Sequence, residues 1–286
     1  MNYHFSLIYP DREAASVSDL LRELLVPRKW RHFLRIEKKV LVNGQYLNFN
    51  ELVKPGDTVT LDLNQVESLQ GDYPASGSMP DIVYEDDNIL IINKPKGQKT
   101  HPNQGENGTA LNDCATYLGY SPYIVHRLDM LTGGLLLVAK NPAVVPILNR
   151  QLISKTLKRD YVAEVDLLSP LNVGAAGTIS LKVGQDPDDQ RKRMVREDGL
   201  RAVTHYQVLA VDEAKRRARV ALSLETGRTH QIRVHLAASG WPIVGDPLYN
   251  PLAAGSDEDL QLTAWRLSFT KPFSFDRVTV VLPDQG

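Results

Sequence analysis

Apolar and polar residues follow two different periods in the first quarter of the chain. Apolar side chains recur at helical spacing over residues 17–25 and again over about residues 27–37. The segment VLVNGQYL predicts a β-hairpin with Asn43-Gly44 as its tight turn, and VKPGDTVTLDL predicts a turn that leads into a strand. These elements predict a small α/β unit.

A stretch without apolar periodicity follows this unit. ESLQGDYPASGSMP, residues 67–80, is rich in Gly, Ser and Pro and is typical of a linker. We therefore predict an N-terminal domain over residues 1–66, a linker over residues 67–80 and a larger domain over residues 81–286.

The larger domain mixes strands and helices. Its predicted strands are the hairpin DIVYEDDNILIINKP, the continuous apolar run LLLVA, and the segments YVAEVDLL and RVALSLE. Helical spacing appears in AVVPILNRQLISK and over about residues 230–238, whereas the polar residues 184–200 predict an exposed loop. Because the order has no regular βαβ rhythm, we predict an α+β fold with a mixed, largely antiparallel sheet flanked by helices.

Composition narrows the class of protein. The chain has 33 Lys and Arg against 34 Asp and Glu, so only local clusters can indicate a nucleic-acid partner. Cys114 is the single cysteine, which excludes an intramolecular disulfide and a Cys-based metal site and fits a reducing compartment. The sequence contains neither the ~18-residue apolar run of a membrane span nor a signal-peptide pattern. We expect a cytoplasmic protein without membrane contact.

The second predicted helix and the residues just after it are strongly basic. Against the single acid Glu37, they carry Arg28, Lys29, Arg31, Arg35, Lys38 and Lys39. On a helix these side chains would form a face that binds RNA phosphates. The alternative is an ordinary solvated helix face.

A second basic segment follows the hairpin of the larger domain. Lys94 ends the predicted strand, and Lys96, Lys99 and His101 lie in the loop beyond it. We predict that Lys94 and Lys96 contact RNA, although such a basic loop by itself is more often structural.

A third segment, ETGRTHQIR, lies where a helix is predicted to begin. Arg228 and His230 would flank free backbone amides, which attract anions together with the helix dipole. Arg233 in the first turn has a guanidinium that can bind a carboxylate through two hydrogen bonds. The alternative is a cationic surface turn, but basic residues in a first turn oppose the dipole.

The histidines do not form a metal-binding pattern. His230 and His235 are five residues apart, and His101 and His126 bring no second ligand set. We therefore predict no metal site.

Asp129 lies in SPYIVHRLDMLTGGLLLVAK, beside a buried strand. A carboxylate there is costly unless it is paired or used. It can serve as a metal ligand, a general base or a nucleophile, and the lack of partner ligands disfavours a metal. The structural alternative is a carboxylate that caps the amides of Thr132, Gly133 or Gly134 in a turn.

Several long motifs in a fixed order resemble one family. HRLDMLTGGLLLVAK, preceded by NKPKGQKTHP and followed by TGRTHQIRVHLAASGWPIVGDPLYN, resembles the RluA family of pseudouridine synthases over about residues 80–285. Residues 13–63, with their basic helix, VNG and KPGD, resemble the S-four-type RNA-binding domain. The resemblance implies a catalytic domain that isomerises uridine in RNA to pseudouridine without a cofactor.

The resemblance also implies roles for individual residues. It assigns the essential aspartate to Asp129, the arginine that pairs with it to Arg233 and the active-site tyrosine to Tyr161. It gives Arg127 the role of the arginine that holds the RNA open at the flipped base. The chain departs from the family's pattern with Gly133 where Ser is usual, and with Arg159 in place of Lys ahead of the tyrosine.

Two questions stay open at the level of the sequence. Asp129 can attack the sugar carbon, add to the pyrimidine ring or promote an elimination. The substrate implied by the family is large-subunit ribosomal RNA, with transfer RNA as the alternative.

A non-catalytic RNA-binding or ribosome-assembly protein on the same fold is the rival from another class, whereas the lone cysteine excludes a zinc-dependent nucleobase deaminase. We expect a monomer.

Overall fold

The computed structural model describes residues 2–68 and 70–283. Its helices are α1 (Val17–Glu23), α2 (Arg28–Ile36), α3 (Ala110–Leu118), α4 (Val145–Ile153) and α5 (Gln231–Ala238), with a 3₁₀ turn at Pro251–Ala253. Its first strands are β1 (Tyr3–Ile8), β2 (Ala15–Ser16), β3 (Val40–Val42), β4 (Gln45–Tyr46), β5 (Leu52–Val53) and β6 (Thr58–Leu63). The described residues exclude Met1 of the predicted first domain, Leu69 of the predicted linker and residues 284–286 of the predicted second domain.

The remaining strands belong to the larger unit. They are β7 (Ile82–Glu85), β8 (Ile89–Lys94), β9 (Tyr123–Ile124), β10 (Gly133–Ala139), β11 (Lys158–Asp166), β12 (Ala176–Ile179), β13 (Val183–Gln185), β14 (Arg193–Val195), β15 (Thr204–Asp212), β16 (Arg217–Leu224), β17 (Leu262–Thr270) and β18 (Arg277–Val281).

A four-stranded antiparallel sheet, in the order β1-β6-β3-β4, forms the first unit with α1 and α2. Ser16 caps α1, since its Oγ accepts a hydrogen bond from Asp19 N at 3.1 Å. Asn43 and Gly44, with φ of 50° and 79°, make the predicted hairpin turn. Both helices and this hairpin are confirmed.

A ten-stranded sheet forms the larger unit, in the order β12-β15-β16-β11-β17-β10-β8-β7, with β18 on β17 and β9 on β10. β10 and β17 run parallel, and the other described pairings in this sheet are antiparallel. β10 is buried along its whole length, as the run LLLVA predicts. The α+β class with a largely antiparallel sheet is confirmed.

The prediction of a loop over residues 184–200 is wrong in part. β13 and β14 pair as a small antiparallel hairpin within it. Its strands, VGQ and RMV, are only three residues long, too short to show the apolar alternation by which a half-buried strand is identified.

The two units pack against each other. Phe5 stacks on Phe273 with ring centroids 3.7 Å apart, within a hydrophobic cluster to which both units contribute. Arg150 on α4 donates to the carbonyl oxygens of Leu25 and Val26, both at 3.2 Å, just before α2. The basic helix is therefore attached to α4. The domain boundaries themselves stay predictions.

Candidate active site

An open cleft of about 640 Å³ lies on the larger unit. Its lining comes from residues 124–132, from α4, from the start of β11 and from residues 224–233. Five of the predicted site residues line it: Arg127, Asp129, Tyr161, Arg228 and Arg233. Segments that are more than a hundred residues apart in the chain thus meet in one place.

The Asp129 loop, between β9 and β10, is held at several backbone atoms. Thr100 Oγ1 donates to Leu128 O at 2.7 Å and accepts from Leu128 N at 3.1 Å. Thr132 N donates to Asp129 O at 3.1 Å. His126 Nε2 accepts from Leu137 N at 3.1 Å, and burial lowers the pKa of His126 to about 3, so the ring is a neutral structural group. These contacts fix the backbone and leave the Asp129 carboxylate in the cleft.

Lys94 supports this loop from inside the protein. Its Nζ donates to Pro95 O and Gln98 O, both at 2.8 Å, and to Met130 O at 3.2 Å. The side chain is fully buried, which corrects the prediction that Lys94 contacts RNA. Burial lowers the pKa of Lys94 to about 8, against the opposing effect of the nearby Asp129.

Arg233 lies between two carboxylates. Its Nε and Nη2 donate to Asp246 Oδ2 and Oδ1 at 2.8 and 2.7 Å, a buried bidentate pair. Its Nη1 lies 4.0 Å from Asp129 Oδ2, at the outer limit of an ion pair. Asp129, the partner that the resemblance implies for Arg233, is therefore near this arginine. The hydrogen bonds of the guanidinium, however, go to Asp246.

His230 adjoins the same carboxylate oxygen. Its Nε2 lies 4.0 Å from Asp129 Oδ2, and its Nδ1 is 2.8 Å from the hydroxyl of Tyr249. Burial lowers the pKa of His230, although Asp129 raises it. His230 therefore belongs to the surroundings of Asp129 rather than to an outer phosphate-binding surface.

Tyr161 lies on β11 and forms part of the cleft floor. Its side chain is 4% exposed, and burial raises the pKa of its hydroxyl. Tyr161 is therefore a neutral phenol at pH 7, able to stack on a base and to donate a proton. Arg159, two residues earlier on the same strand, also lines the cleft.

The other predicted RNA contacts differ in exposure. Arg127 and Arg228 are exposed at the cleft, whereas Lys96 is half-buried and lies close to Gly133. On α2, Arg28, Lys29 and Arg35 are exposed and Arg31 is half-buried. Burial and the neighbouring Arg22, Arg150 and Arg28 lower the pKa of Arg31, which indicates a concentrated positive charge where α2 meets α4.

Three residues of the site are not predicted from the sequence. Thr100, Asp246 and Tyr249 act through side chains that contact other residues of the site. Asp246 and Tyr249 belong to the segment GDPLYN, and the signal that could identify them is an acid and a tyrosine a short distance after a basic helix start. Among the described residues, no group of three or more His, Cys, Asp and Glu is arranged to hold a metal ion.

Comparison with known proteins bears on this cleft. The family described as RNA pseudouridylate synthase matches residues 88–238, more than half of the chain and most of the cleft. The chain belongs to the RNA pseudouridylate synthase family. Residues 5–59 match the RluD ribosomal pseudouridine synthase N-terminal domain. The protein is therefore an enzyme that isomerises uridine in RNA to pseudouridine.

Individual relatives support the assignment over nearly the full length. An uncharacterized RNA pseudouridine synthase, YlyB of Bacillus subtilis, is 39% identical over 86% of this chain and 82% of its own. Ribosomal large subunit pseudouridine synthase D of Nitrosomonas europaea is 37% identical over 94% of this chain and 81% of its own. The structure of human RNA pseudouridylate synthase domain containing 1 is 26% identical with a TM-score of 0.61, over 74% and 86% of the two chains. The described part of this synthase contains no helix long and apolar enough to cross a membrane.

Proposed function

We propose that this pseudouridine synthase acts on large-subunit ribosomal RNA and that Asp129 is its nucleophile. The role of Asp129 as nucleophile is supported by its position, because its carboxylate lies in the cleft with Arg233 and His230 4.0 Å away. The relative named ribosomal large subunit pseudouridine synthase D spans nearly the whole chain and supports the first part. Transfer RNA is the alternative substrate.

The reaction breaks the bond between C1′ of the ribose and N1 of uracil and forms a bond from C1′ to C5. The C5 proton leaves, and N1 gains a proton, so that no group or electron is exchanged with a cofactor. Asp129 must be ionised to attack, and Arg233 places a positive charge 4.0 Å from its Oδ2. Attack on the sugar carbon, addition to the ring and elimination all begin from this carboxylate.

Tyr161 and Arg127 complete the proposed machinery. A uridine in folded RNA must leave its stack to reach the cleft, which costs a few kcal/mol. Arg127 is exposed at the cleft and would replace the flipped base by stacking on its neighbours. Tyr161 would stack on the uracil, and its neutral hydroxyl is suited to proton transfer.

We assign RNA binding outside the cleft to the first unit, as a domain of residues 1–66 joined by the linker 67–80 to a catalytic domain of residues 81–286. This proposal rests on the exposed cations of α2. They lie near the cleft, because Arg150 binds the residues just before α2 to α4 at the cleft edge. Arg228 and Lys96 would add phosphate contacts nearer to Asp129. We further propose a cytoplasmic monomer, since one chain forms the whole cleft and Cys114 is a buried thiol.

Replacement of Asp129 by Asn tests the nucleophile. Pseudouridine formation should fall by at least about a thousandfold, as for other enzymes that lose their nucleophile, while circular dichroism and RNA affinity stay unchanged. Asp198→Asn, at an exposed site, serves as the matched control. Tritium release from RNA labelled at C5 of uracil measures the reaction. Activity in Asp129→Asn equal to that of the control would refute the assignment.

Mapping of pseudouridines in total RNA tests the substrate. Cells without the gene should lack specific pseudouridines in large-subunit ribosomal RNA, and the wild-type gene but not the Asp129→Asn gene should restore them. Losses confined to transfer RNA would contradict the ribosomal proposal. An unchanged pseudouridine map with defective ribosome assembly would favour the non-catalytic role.

A further inference from the structure

His230 is held in an uncommon backbone conformation at the edge of the cleft. Its φ of 57° and ψ of 17° place it in the left-handed region, which non-glycine residues rarely adopt. Such strain persists where the surrounding structure enforces it, and it is concentrated at functional sites. The side chain of His230 makes no capping hydrogen bond to the helix α5, which begins at Gln231. The imidazole of His230 is thereby available for another purpose.

The hydroxyl of Tyr249 determines how His230 can be protonated. Its oxygen accepts a hydrogen bond from the backbone N–H of Arg193 at 2.8 Å. Its own proton is then directed to the second neighbour, His230 Nδ1, also at 2.8 Å. Burial raises the pKa of Tyr249, so the phenol keeps this proton. With the Tyr249 hydroxyl as the donor, Nδ1 is the acceptor, and the ring proton of a neutral His230 lies on Nε2.

Nε2 is the nitrogen that lies near Asp129, 4.0 Å from Oδ2. Arg233 Nη1 is at the same distance from the same oxygen, but two other nitrogens of that guanidinium are bound to Asp246. A movement of about 1 Å brings Nε2–H into hydrogen-bond range, and contacts of this kind commonly tighten when substrate binds. The charged and titratable groups that influence His230 are Asp129, Arg233, Asp246, Arg193 and Tyr249.

We propose that His230 is a positioning residue for Asp129. Tyr249 fixes the imidazole as the Nε2–H tautomer, and this N–H is a second donor, beside Arg233, that orients the Asp129 carboxylate toward the flipped uridine. The inference rests on the proposed role of Asp129. It also connects the β13–β14 hairpin to the reaction, because the Arg193 backbone sets the direction of the Tyr249 hydroxyl.

The tautomer can be measured without any catalytic assay. In protein labelled with ¹⁵N at the histidine rings, we expect His230 to show a bare, hydrogen-bonded Nδ1 and a protonated Nε2 near pH 7. Tyr249→Phe should shift His230 toward a mixture of tautomers, whereas Tyr117→Phe, which removes an exposed hydroxyl that donates to Glu85, should not. A protonated Nδ1 in the wild type would overturn the proposal.

Single-turnover kinetics with saturating enzyme test the consequence. His230→Ala should slow pseudouridine formation about tenfold, the effect of losing one hydrogen bond to a charged group, with unchanged RNA affinity. His230→Gln, which keeps a side-chain N–H, should recover most of the rate, and Tyr249→Phe should be intermediate. His4→Ala, at an exposed histidine, is the matched control.

A wild-type rate in His230→Ala would overturn the positioning role, as would a defect confined to RNA affinity. If His230→Ala does not fold, the rate and tautomer of Tyr249→Phe decide the question. An active Asp129→Asn variant would instead refute the nucleophile assignment, whatever tautomer His230 adopts, so the two failures are distinguishable.

Discussion

Arg233 binds Asp246 through two hydrogen bonds of 2.8 and 2.7 Å while its third nitrogen remains 4.0 Å from Asp129. Both members of the Arg233–Asp246 pair are almost fully buried. Asp246 also accepts from the backbone N–H groups of Leu248 and Tyr249. One buried carboxylate thus fixes the guanidinium that faces Asp129 and the segment that carries Tyr249.

Replacement of Asp246 by Asn should therefore reduce both stability and activity. Breaking a buried, hydrogen-bonded ion pair leaves an uncompensated charge and costs about 3–5 kcal/mol. Urea unfolding followed by circular dichroism measures the loss, and tritium release measures activity. Asp198→Asn breaks an exposed bidentate pair with Arg196 and should leave the midpoint unchanged. Equal midpoints for the two variants would contradict the role given to Asp246.

The buried Lys94 predicts a pH dependence of stability. Its pKa is about 8 in the folded protein and 10.5 when unperturbed, so between these values the unfolded chain binds more protons than the folded one. The stability of the wild type relative to Lys94→Met should therefore rise as the pH increases from 8 to 10.5 and be level below that window. Unfolding free energies of both proteins across this range measure the effect.

The control for Lys94 is an exposed lysine. Lys54→Met should differ from the wild type by a constant amount over the same range. A Lys94→Met difference that is also constant, or that decreases with pH, would show that Lys94 does not titrate as its burial requires. We also expect Lys94→Met to lose activity, because Met130 O, next to Asp129, loses its donor.

The predictability of the fold follows the range of the contacts involved. The residues that determine a helical period or a tight turn are close together in the sequence. For this reason α1, α2 and the Asn43-Gly44 hairpin could be predicted. The strand β1 could not, because its pairing with β6 depends on residues fifty or more positions away. The parallel neighbours β10 and β17 are separated even further along the chain.

The site follows the same rule. Asp129, Tyr161 and Arg233 are in recognisable motifs, and the structure brings them to one cleft. Asp246 lies in the same long motif as Arg233, but the motif does not show its role, because that role depends on the spatial position of a guanidinium thirteen residues earlier. Lys94 is misread because a lysine at the end of a strand is usually exposed, whereas here three carbonyl oxygens bind its ammonium group.

Two adjacent glycines should respond differently to substitution. At Gly133 a Cβ would lie 3.2 Å from Lys96 Cγ, which belongs to a flexible side chain. At Gly134, with φ of 106°, a Cβ would lie 2.2 Å from the backbone oxygen of Ala264 on β17. Gly133→Ser should therefore cost less than about 1 kcal/mol, with Lys96 moving aside and activity within a few-fold of wild type.

Gly134→Ser is the matched comparison. It should cost more than about 3 kcal/mol, because both the backbone conformation and the strand pairing must change. Thermal unfolding of the two variants measures the difference. A strongly destabilised Gly133→Ser would mean that Lys96 cannot move, and that glycine at 133 is required by this packing.

Salt dependence of RNA binding tests the basic face of α2. Arg28, Lys29 and Arg35 are exposed there, close to the concentrated charge around Arg31. If each contacts a phosphate of duplex RNA, replacing all three with Gln should reduce the slope of log affinity against log salt by about 2–3, since each contact contributes about 0.9. Single-turnover rates at saturating enzyme should stay near wild type, because these side chains lie outside the cleft lining.

Lys215 provides the control for this measurement. It is exposed, lies outside the cleft lining and pairs only loosely with Asp212 at 3.9 Å. Lys215→Gln should leave both the affinity and the salt slope unchanged. An unchanged slope in the triple variant would mean that α2 is an ordinary solvated face and that RNA is held by the cleft alone. A slope that falls together with the saturating rate would instead indicate that α2 helps to seat the target uridine at Asp129.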